Sequence, residues 1–367
     1  MPLATPQGTL DFKSVDTITF VGASSNTVID TTTGSFGVGV DANGPTSNLH
    51  VVGDALITGN VAVTGTGSLT VPSGTTAQKP TGVTGMIRFN TTVGKLEFYN
   101  GAVWKFIGGV SAAGGTITNM GGYTIHTFSS SSTLTVTGGG EIEYLIVAGG
   151  GGGGASWEGG GGGAGGLMTG TIANLTPGTY TITVGAGGVG GRGSGASAMR
   201  VPAQGSNSSF PGFVALGGGV GGQNTPEQYP TGGGSGGGGT HTRVTPGNAT
   251  GSGQFGNTGG LGIENTLVGA GGGGAGAVGQ GPTASKGGDG GVGMEIFGSY
   301  YAGGGGGARR SSAASTSGSG GSGGGGNGGT AGQSGTANTG GGGGGGAGGT
   351  NSIGGDGGSG IVIIRYL

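Results

Sequence analysis

Side chains able to do chemistry are few in this chain and far apart. Its three histidines, His50, His126 and His241, fall in different stretches, and His126 sits inside an alternating strand pattern. Glu141 and Glu143 are two apart, so on an extended segment both face the same way, a relation that a glycosidase pair could use. An isolated pair of this kind is more often a solvated face. Cysteine is absent, which excludes disulfides and thiolate metal sites, and no other metal-ligand spacing occurs. The sequence therefore predicts no catalytic residue, no metal and no cofactor. It does not read as an enzyme.

What remains are aromatic and arginine residues in short inserts between glycine runs: Ser156-Trp157-Glu158, residues 223–230, His241-Thr242-Arg243-Val244, residues 296–301, and Arg309-Arg310-Ser311-Ser312. Aromatic and arginine side chains dominate binding hot spots, and loops on a rigid scaffold carry specificity. Trp157, Gln228, Tyr229, His241, Arg243, Tyr300, Tyr301, Arg309 and Arg310 are accordingly the candidate contact residues. In a competing reading some aromatics plug the ends of a bundle, Phe255 and Phe297 first among them, and Arg309-Arg310 is a solvated loop tip. With 12 Lys and Arg against 14 Asp and Glu, and a net charge of −2, no basic surface is available for nucleic acid. No apolar stretch approaches the roughly 20 residues that span a bilayer. The start, Met1-Pro2-Leu3-Ala4-Thr5-Pro6, lacks the basic and apolar parts of a secretory signal; if the protein works outside a cell it gets there by another route, and a virion component released by lysis fits.

The elements that must position those inserts differ between front and back. Only 19 of the 111 glycines lie in residues 1–120, so a threonine- and valine-rich front precedes a glycine-rich back. Alternation predicts strands at 16–21 and 35–40, and short β runs with Gly-Asp, Gly-Asn and Gly-Thr turns follow over 49–65, then 69–71. Strands so short bury too little to fold alone, and winding three copies about one axis is the simplest remedy. The alternative is the edge of an ordinary sandwich. Residues 85–90, 95–99 and 102–107 form a meander whose last turn, Asn100-Gly101, predicts a two-residue hairpin. Further strands are expected at 123–128, 132–136, 143–148, 213–216 and 361–366, with a Pro177-Gly178 hairpin over 169–184. No segment has a helical period.

Between these strands lie the glycine tracts 159–163, 232–239, 271–274, 303–307, 323–326 and 340–346. They lack the strict third-residue glycine of collagen. Consecutive glycines permit left-handed polyproline-II-type helices that can bundle hexagonally and satisfy one another's backbone groups. A phosphate-cradling loop would need a following helix, and none is visible. The fold class is thus all-β: an N-terminal β-rich shaft and small meander, then a β core carrying a bundle of polyglycine-II helices. Residues 1–48 read as an attachment region, 49–78 as the shaft, 79–115 as the meander module and 116–367 as a glycine-rich distal domain.

Two resemblances follow. The phrases Gly85-Met86-Ile87-Arg88-Phe89-Asn90-Thr91-Thr92 and Phe98-Tyr99-Asn100-Gly101-Ala102-Val103-Trp104 look like a module of bacteriophage tail fibres and related virion fibres. Ser47-Asn48-Leu49-His50-Val51-Val52-Gly53 is similar to a phrase in structural proteins of tailed phages and large algal viruses. The back half resembles the polyglycine-II sandwich adhesins of T-even-type phages. That likeness rests on Tyr144-Leu145-Ile146-Val147-Ala148-Gly149, Asn174-Leu175-Thr176-Pro177-Gly178-Thr179-Tyr180 and the ending Ile361-Val362-Ile363-Ile364-Arg365-Tyr366. These resemblances imply a homotrimeric fibre on a virion exterior, attached to other tail or capsid proteins by its N-terminal region. They imply that loops between glycine helices contact a host surface glycan or outer-membrane protein. A purely structural decoration or capping protein is the alternative.

Overall fold

A computed structural model describes residues 17–21, 26–30, 35–40, 49–51, 66, 68–92, 94–193, 198–249, 254–264, 267–310, 316–348 and 351–367. The chain divides into two compact units, Met1–Thr70 and Val71–Leu367. In the first, Thr17–Val21, Asn26–Asp30 and Ser35–Val40 pair in antiparallel fashion, and Leu49–Val51 joins Ser35–Val40 in parallel. The remaining expected shaft runs, 52–65, lie outside the described residues, and no strand forms at 69–71, where Leu69 is exposed.

The second unit opens with the meander. Ile87–Asn90, Lys95–Tyr99 and Trp104–Phe106 pair in order, and Ser73–Gly74 adds a short parallel edge. The expected two-residue turn is a four-residue connection instead, since Tyr99 pairs with Trp104. Asn100 keeps a negative φ and accepts the Ala102 and Val103 amides through Oδ1, so only Gly101 needs positive φ, at 101°. The sheet's burial is inverted. Arg88, Asn90 and Glu97 are buried, whereas Met86, Ile87, Phe89 and Leu96 are exposed. Glu97 collects three donors: Arg88 at 3.1 Å, Asn90 at 3.2 Å and Lys79 at 3.0 Å. A buried carboxylate persists only with such partners.

A β-sandwich follows. Its five-stranded antiparallel sheet runs Thr116–Met120, Tyr123–Phe128, Ile361–Tyr366, Gly140–Val147, Leu167–Leu175. The three-stranded sheet runs Gly178–Ile182, Ser132–Gly138, Ser111–Ala113. The Pro177-Gly178 turn is therefore no hairpin: Leu167–Leu175 and Gly178–Ile182 belong to opposite sheets. Crossing over lets Leu175 and Ile182 enter one core with Phe128, Leu134, Ile142, Ile146, Val362 and Ile364. Tyr180 pins the corner by donating its hydroxyl to the Thr176 carbonyl at 2.7 Å, as the tyrosine corner of other sandwiches does. The outer face of the larger sheet is buried too, because Leu145, Val147, Ile361 and Ile363 pack on Ala164, Leu167, Ala275 and Ala302. Burial on both faces explains the near-continuous apolar runs of the two central strands.

From Val147 the chain passes into glycine. Residues 149 to 154 make no hydrogen bond within their own tract. Their amides donate in turn to Ser206, Gly358, Gly163, Ala203, Gly355 and Gly160, at 2.9–3.0 Å. Their carbonyls accept from Gly218, Gly188, Gly343, Gly221, Gly191 and Gly346, at 2.8–3.0 Å. Each partner segment recurs every third residue, the repeat of a threefold helix, so one rod serves six neighbours. The tract from 159 to 166 repeats the scheme, its amides reaching three neighbouring segments and its carbonyls three more. Hexagonal packing of polyglycine-II rods satisfies the backbone without side chains.

Candidate functional site at the loop end of the glycine bundle

The first rod leaves the sandwich at Val147 and the second returns to it at Leu167, so the turn over 155–158 lies at the far end. About six residues at roughly 3.1 Å each separate the two ends by ~19 Å. The same alternation of outward and returning rods carries 192–193, 198–200, 223–230, 240–246, 261–264, 282–286, 309–310, 316–317, 347–348 and 351–352 to that end. Five expected residues gather around one buried cluster: Trp157, Tyr229, His241, Arg243 and Arg310.

Glu158 lies at its centre, fully buried. Its Oε2 meets His241 Nδ1 at 2.7 Å and accepts Asn224 Nδ2 at 3.2 Å, while Oε1 is buried with no partner. Burial pushes the carboxyl up to about 7, against the pull of the Arg310 charge and the Asn224 hydrogen bond. Burial, followed by the charges of Arg310 and Arg243, lowers the proton affinity of His241. Near neutral pH the ring is uncharged and the carboxyl is partly protonated. Asn224 Oδ1 accepts the Thr240 and Thr242 hydroxyls, which fastens the 223–230 and 240–246 loops together.

The two arginines stack. Arg310 lies over Trp157, 3.8 Å from the ring centroid, and Arg243 over Tyr229 at 4.6 Å. Arg243 also pairs with Glu227. The Arg310 guanidinium has no acceptor among the described residues. Trp157 and Ser156 both adopt positive φ, 62° and 67°. The hydrogen bonds of Ser156 hold this strained turn: its amide donates to Ser352 Oγ at 2.7 Å, and its hydroxyl to the Thr225 carbonyl at 2.8 Å. Gln223, buried beneath, accepts the Ala155 amide and donates to the Arg200 and Pro226 carbonyls.

The other candidates are placed differently. Gln228 shares the loop but pairs its backbone with Gln223 and turns its side-chain amide to the Tyr229 carbonyl. Arg309 is tied to the Ala284 carbonyl at 2.8 Å. Tyr300 and Tyr301 stand at the opposite end, on the hairpin Met294–Ile296/Ser299–Tyr301, with Tyr301 packed against the outer face of the larger sheet. Met294, Ile296 and Tyr301 pack on the apolar cluster that includes Leu145 and Ile363, which draws that hairpin to the sandwich. Phe297 packs there as well, beneath Arg365 at 3.7 Å, whereas Phe255 is exposed. Glu158, Asn224 and Gln223 were not among the expected contact residues. A lone acid beside a tryptophan in a glycine insert carries no local signal of burial.

The weighed alternatives also find their places. Glu141 and Glu143 line a cavity of about 200 Å³ at the base of the sandwich. Glu141 is paired with Lys105 at 2.8 Å, and Glu143 with Arg365 at 2.7 Å. His126 is a core residue: its Nδ1 donates to the Gly114 carbonyl, so Nε2 accepts from the Tyr366 hydroxyl at 3.0 Å. Among the described residues no group of three His, Cys, Asp or Glu could hold a metal ion.

Comparison with known families decides the class of the larger unit. A glycine-rich domain family matches residues 124–367. The chain belongs to this family. The matched span begins in the strand Tyr123–Phe128 and runs through the bundle to the closing strand Ile361–Tyr366, so the family comprises most of the sandwich together with its rods. No curated protein matches the chain.

Proposed function

We propose that this chain is a non-enzymatic fibre or spike protein of a virion exterior, self-associated as a homotrimer, whose glycine-rich end binds the host cell surface. The observation that carries the reading is the gathering of Trp157, Tyr229, His241, Arg243 and Arg310 on loops at one end of a side-chain-free scaffold. Rods saturated in backbone hydrogen bonds hold their loops rigidly, which lowers the ordering cost of binding. The inverted meander supports self-association. Ile87, Phe89 and Leu96 leave one apolar face in water, and a second and third copy of that face would cover it. The N-terminal unit would then join other virion proteins.

Two measurements on the full chain test this. Light scattering is expected to give a trimer, and Ile87→Asp with Leu96→Asp is expected to give a folded monomer. Labelled chain is expected to adsorb saturably to some members of a panel of bacterial and algal cells. Tyr229→Ala with Arg243→Ala should abolish that adsorption. A wild-type chain that is monomeric and adsorbs to no cell refutes the proposal.

A further inference from the structure

We infer that the loop end of the bundle is an anion-recognition face and that the surface component it takes is a carboxylate-bearing polysaccharide. The inference rests on the surface-binding reading above and gives the ligand a chemistry. Arg310 is the anchor. Stacking at 3.8 Å on Trp157 fixes the plane of its guanidinium, and no acceptor among the described residues engages its donors. A planar guanidinium so held is pre-organised for two parallel hydrogen bonds to a carboxylate. Arg243 supplies a second guanidinium, which donates to the Thr242 carbonyl at 3.1 Å, and its ion-pair partner Glu227 is half exposed, so a ligand carboxylate can compete for it. His241 lies within the field of both arginines, with Nδ1 committed to Glu158 and Nε2 without a described partner.

The aromatic residues argue for a sugar. Tyr229 is 55% exposed and presents a ring face beside Arg243, and sugar C–H groups pack on such faces. Two arginines on a chain of net charge −2 are too few for a phosphate polymer, which needs many cations at once.

Glu158 makes the face respond to pH. The groups around it are Arg310, His241 and the Asn224 amide, with Arg243 beyond His241 and itself paired to Glu227. The ionised Glu158 carboxylate is a counter-charge to Arg310 that competes with a bound anion. As pH falls through about 7 the carboxyl takes a proton and that competition ends. Protonation of His241 at lower pH adds charge of the favourable sign. Anion binding therefore strengthens from pH 8 to pH 6.

The test uses the full chain against oligogalacturonate and against its methyl ester, the same backbone with the charge removed, by biolayer interferometry. The acid form is expected to bind at least tenfold more tightly than the ester, and severalfold more tightly at pH 6 than at pH 8. Arg310→Gln and Arg243→Gln, each with unchanged melting, should lose at least tenfold. Equal binding of acid and ester, no binding of either, or indifference to both substitutions overturns the inference. The cell panel separates it from the reading beneath. If Arg310→Gln and Arg243→Gln adsorb to cells like wild type, surface binding stands and the carboxylate assignment falls. If wild type binds oligogalacturonate through these arginines yet adsorbs to no cell, the reverse holds.

Discussion

Replacing Gly161 by alanine separates a packed glycine bundle from a flexible glycine tract by the size of one number. Gly161 donates to Ala270 at 2.9 Å and accepts from Gly238 at 2.9 Å. A methyl group there lands on the Gly305 carbonyl, and within 3.0 Å of the Gly272 amide nitrogen. Those two groups are themselves hydrogen-bonded at 2.8 Å. The obstacle is backbone on neighbouring rods, so no side chain can swing aside. Overpacking costs about 1–3 kcal/mol. Each inter-rod hydrogen bond broken by the displacement adds about 1–3 kcal/mol. Losing one gives a total near 2–6 kcal/mol, or a fall in Tm of roughly 4–24 °C for a domain of this size. In a flexible, unpacked tract the same change would leave stability nearly unchanged, because alanine restricts the folded and unfolded chain alike. Gly109→Ala is the control, since the atom nearest to its added methyl is the Leu367 carbonyl oxygen at 3.5 Å. Calorimetry of the two variants, with hydrogen exchange on the tract amides, gives the answer. A Gly161→Ala protein melting within about 2 °C of wild type, or above it, refutes the bundle argument.

Two further predictions concern buried carboxyls. Glu158 binds its proton more tightly folded than unfolded, so its contribution to stability falls as pH rises from about 4.5 towards 7 and is constant above. Glu158→Gln should remove that slope and gain about 2 kcal/mol at pH 8, after allowance for screening at the loop end. Urea midpoints that keep their slope in the variant would place the proton elsewhere. His241, with its proton affinity lowered, acts in the opposite sense below its ordinary range, and the variant would expose that limb alone. In the meander, Glu97→Gln leaves Arg88 buried beside a neutral partner and should cost about 3–5 kcal/mol. Trp104 lies 5.9 Å from the Arg88 guanidinium and reports the loss by its fluorescence, and an unchanged Trp104 transition would count against the network.

The strands were legible wherever apolar alternation or continuous apolar runs met a core. Tyr123–Phe128, Gly140–Val147 and Ile361–Tyr366 stand within a few residues of their expected places. Pairing was less legible. Thr176-Pro177-Gly178 has the same local chemistry whether the chain folds back or crosses to a second sheet, and only the destinations of Leu175 and Ile182 decide between them. Inverted burial in Ile87–Asn90 was hidden for a related reason. Period two gives two faces but does not say which is covered, and the polar face wins because Glu97 can satisfy Arg88, Asn90 and Lys79 together. At the candidate site the aromatic and arginine content of the inserts could be read. The end at which each insert lies could not. It follows from counting outward and returning rods, and that count put Tyr300 and Tyr301 with the sandwich.

Glycine rods raise a question that side-chain cores do not. A rod without side chains can slide by three residues and offer every neighbour the same donors and acceptors, so backbone bonding alone fixes no register. The few polar residues at rod ends supply what is missing. At the sandwich end Ser208 accepts the Gly185 amide and donates to the Val147 carbonyl, joining two outgoing segments at their roots. At the loop end Gln223 fastens Ala155, Arg200 and Pro226, and Ser352 fastens Ser156. A slide of one rod would strand these buried groups without partners, at about 1–3 kcal/mol each. The same contacts define the loop cluster, since Gln223 and Asn224 are neighbours and Asn224 touches Glu158. Register and site geometry are thus set by one group of side chains. Exposed residues such as Tyr229 are free to change without disturbing the rods, whereas Gln223, Ser156 and Ser352 are not.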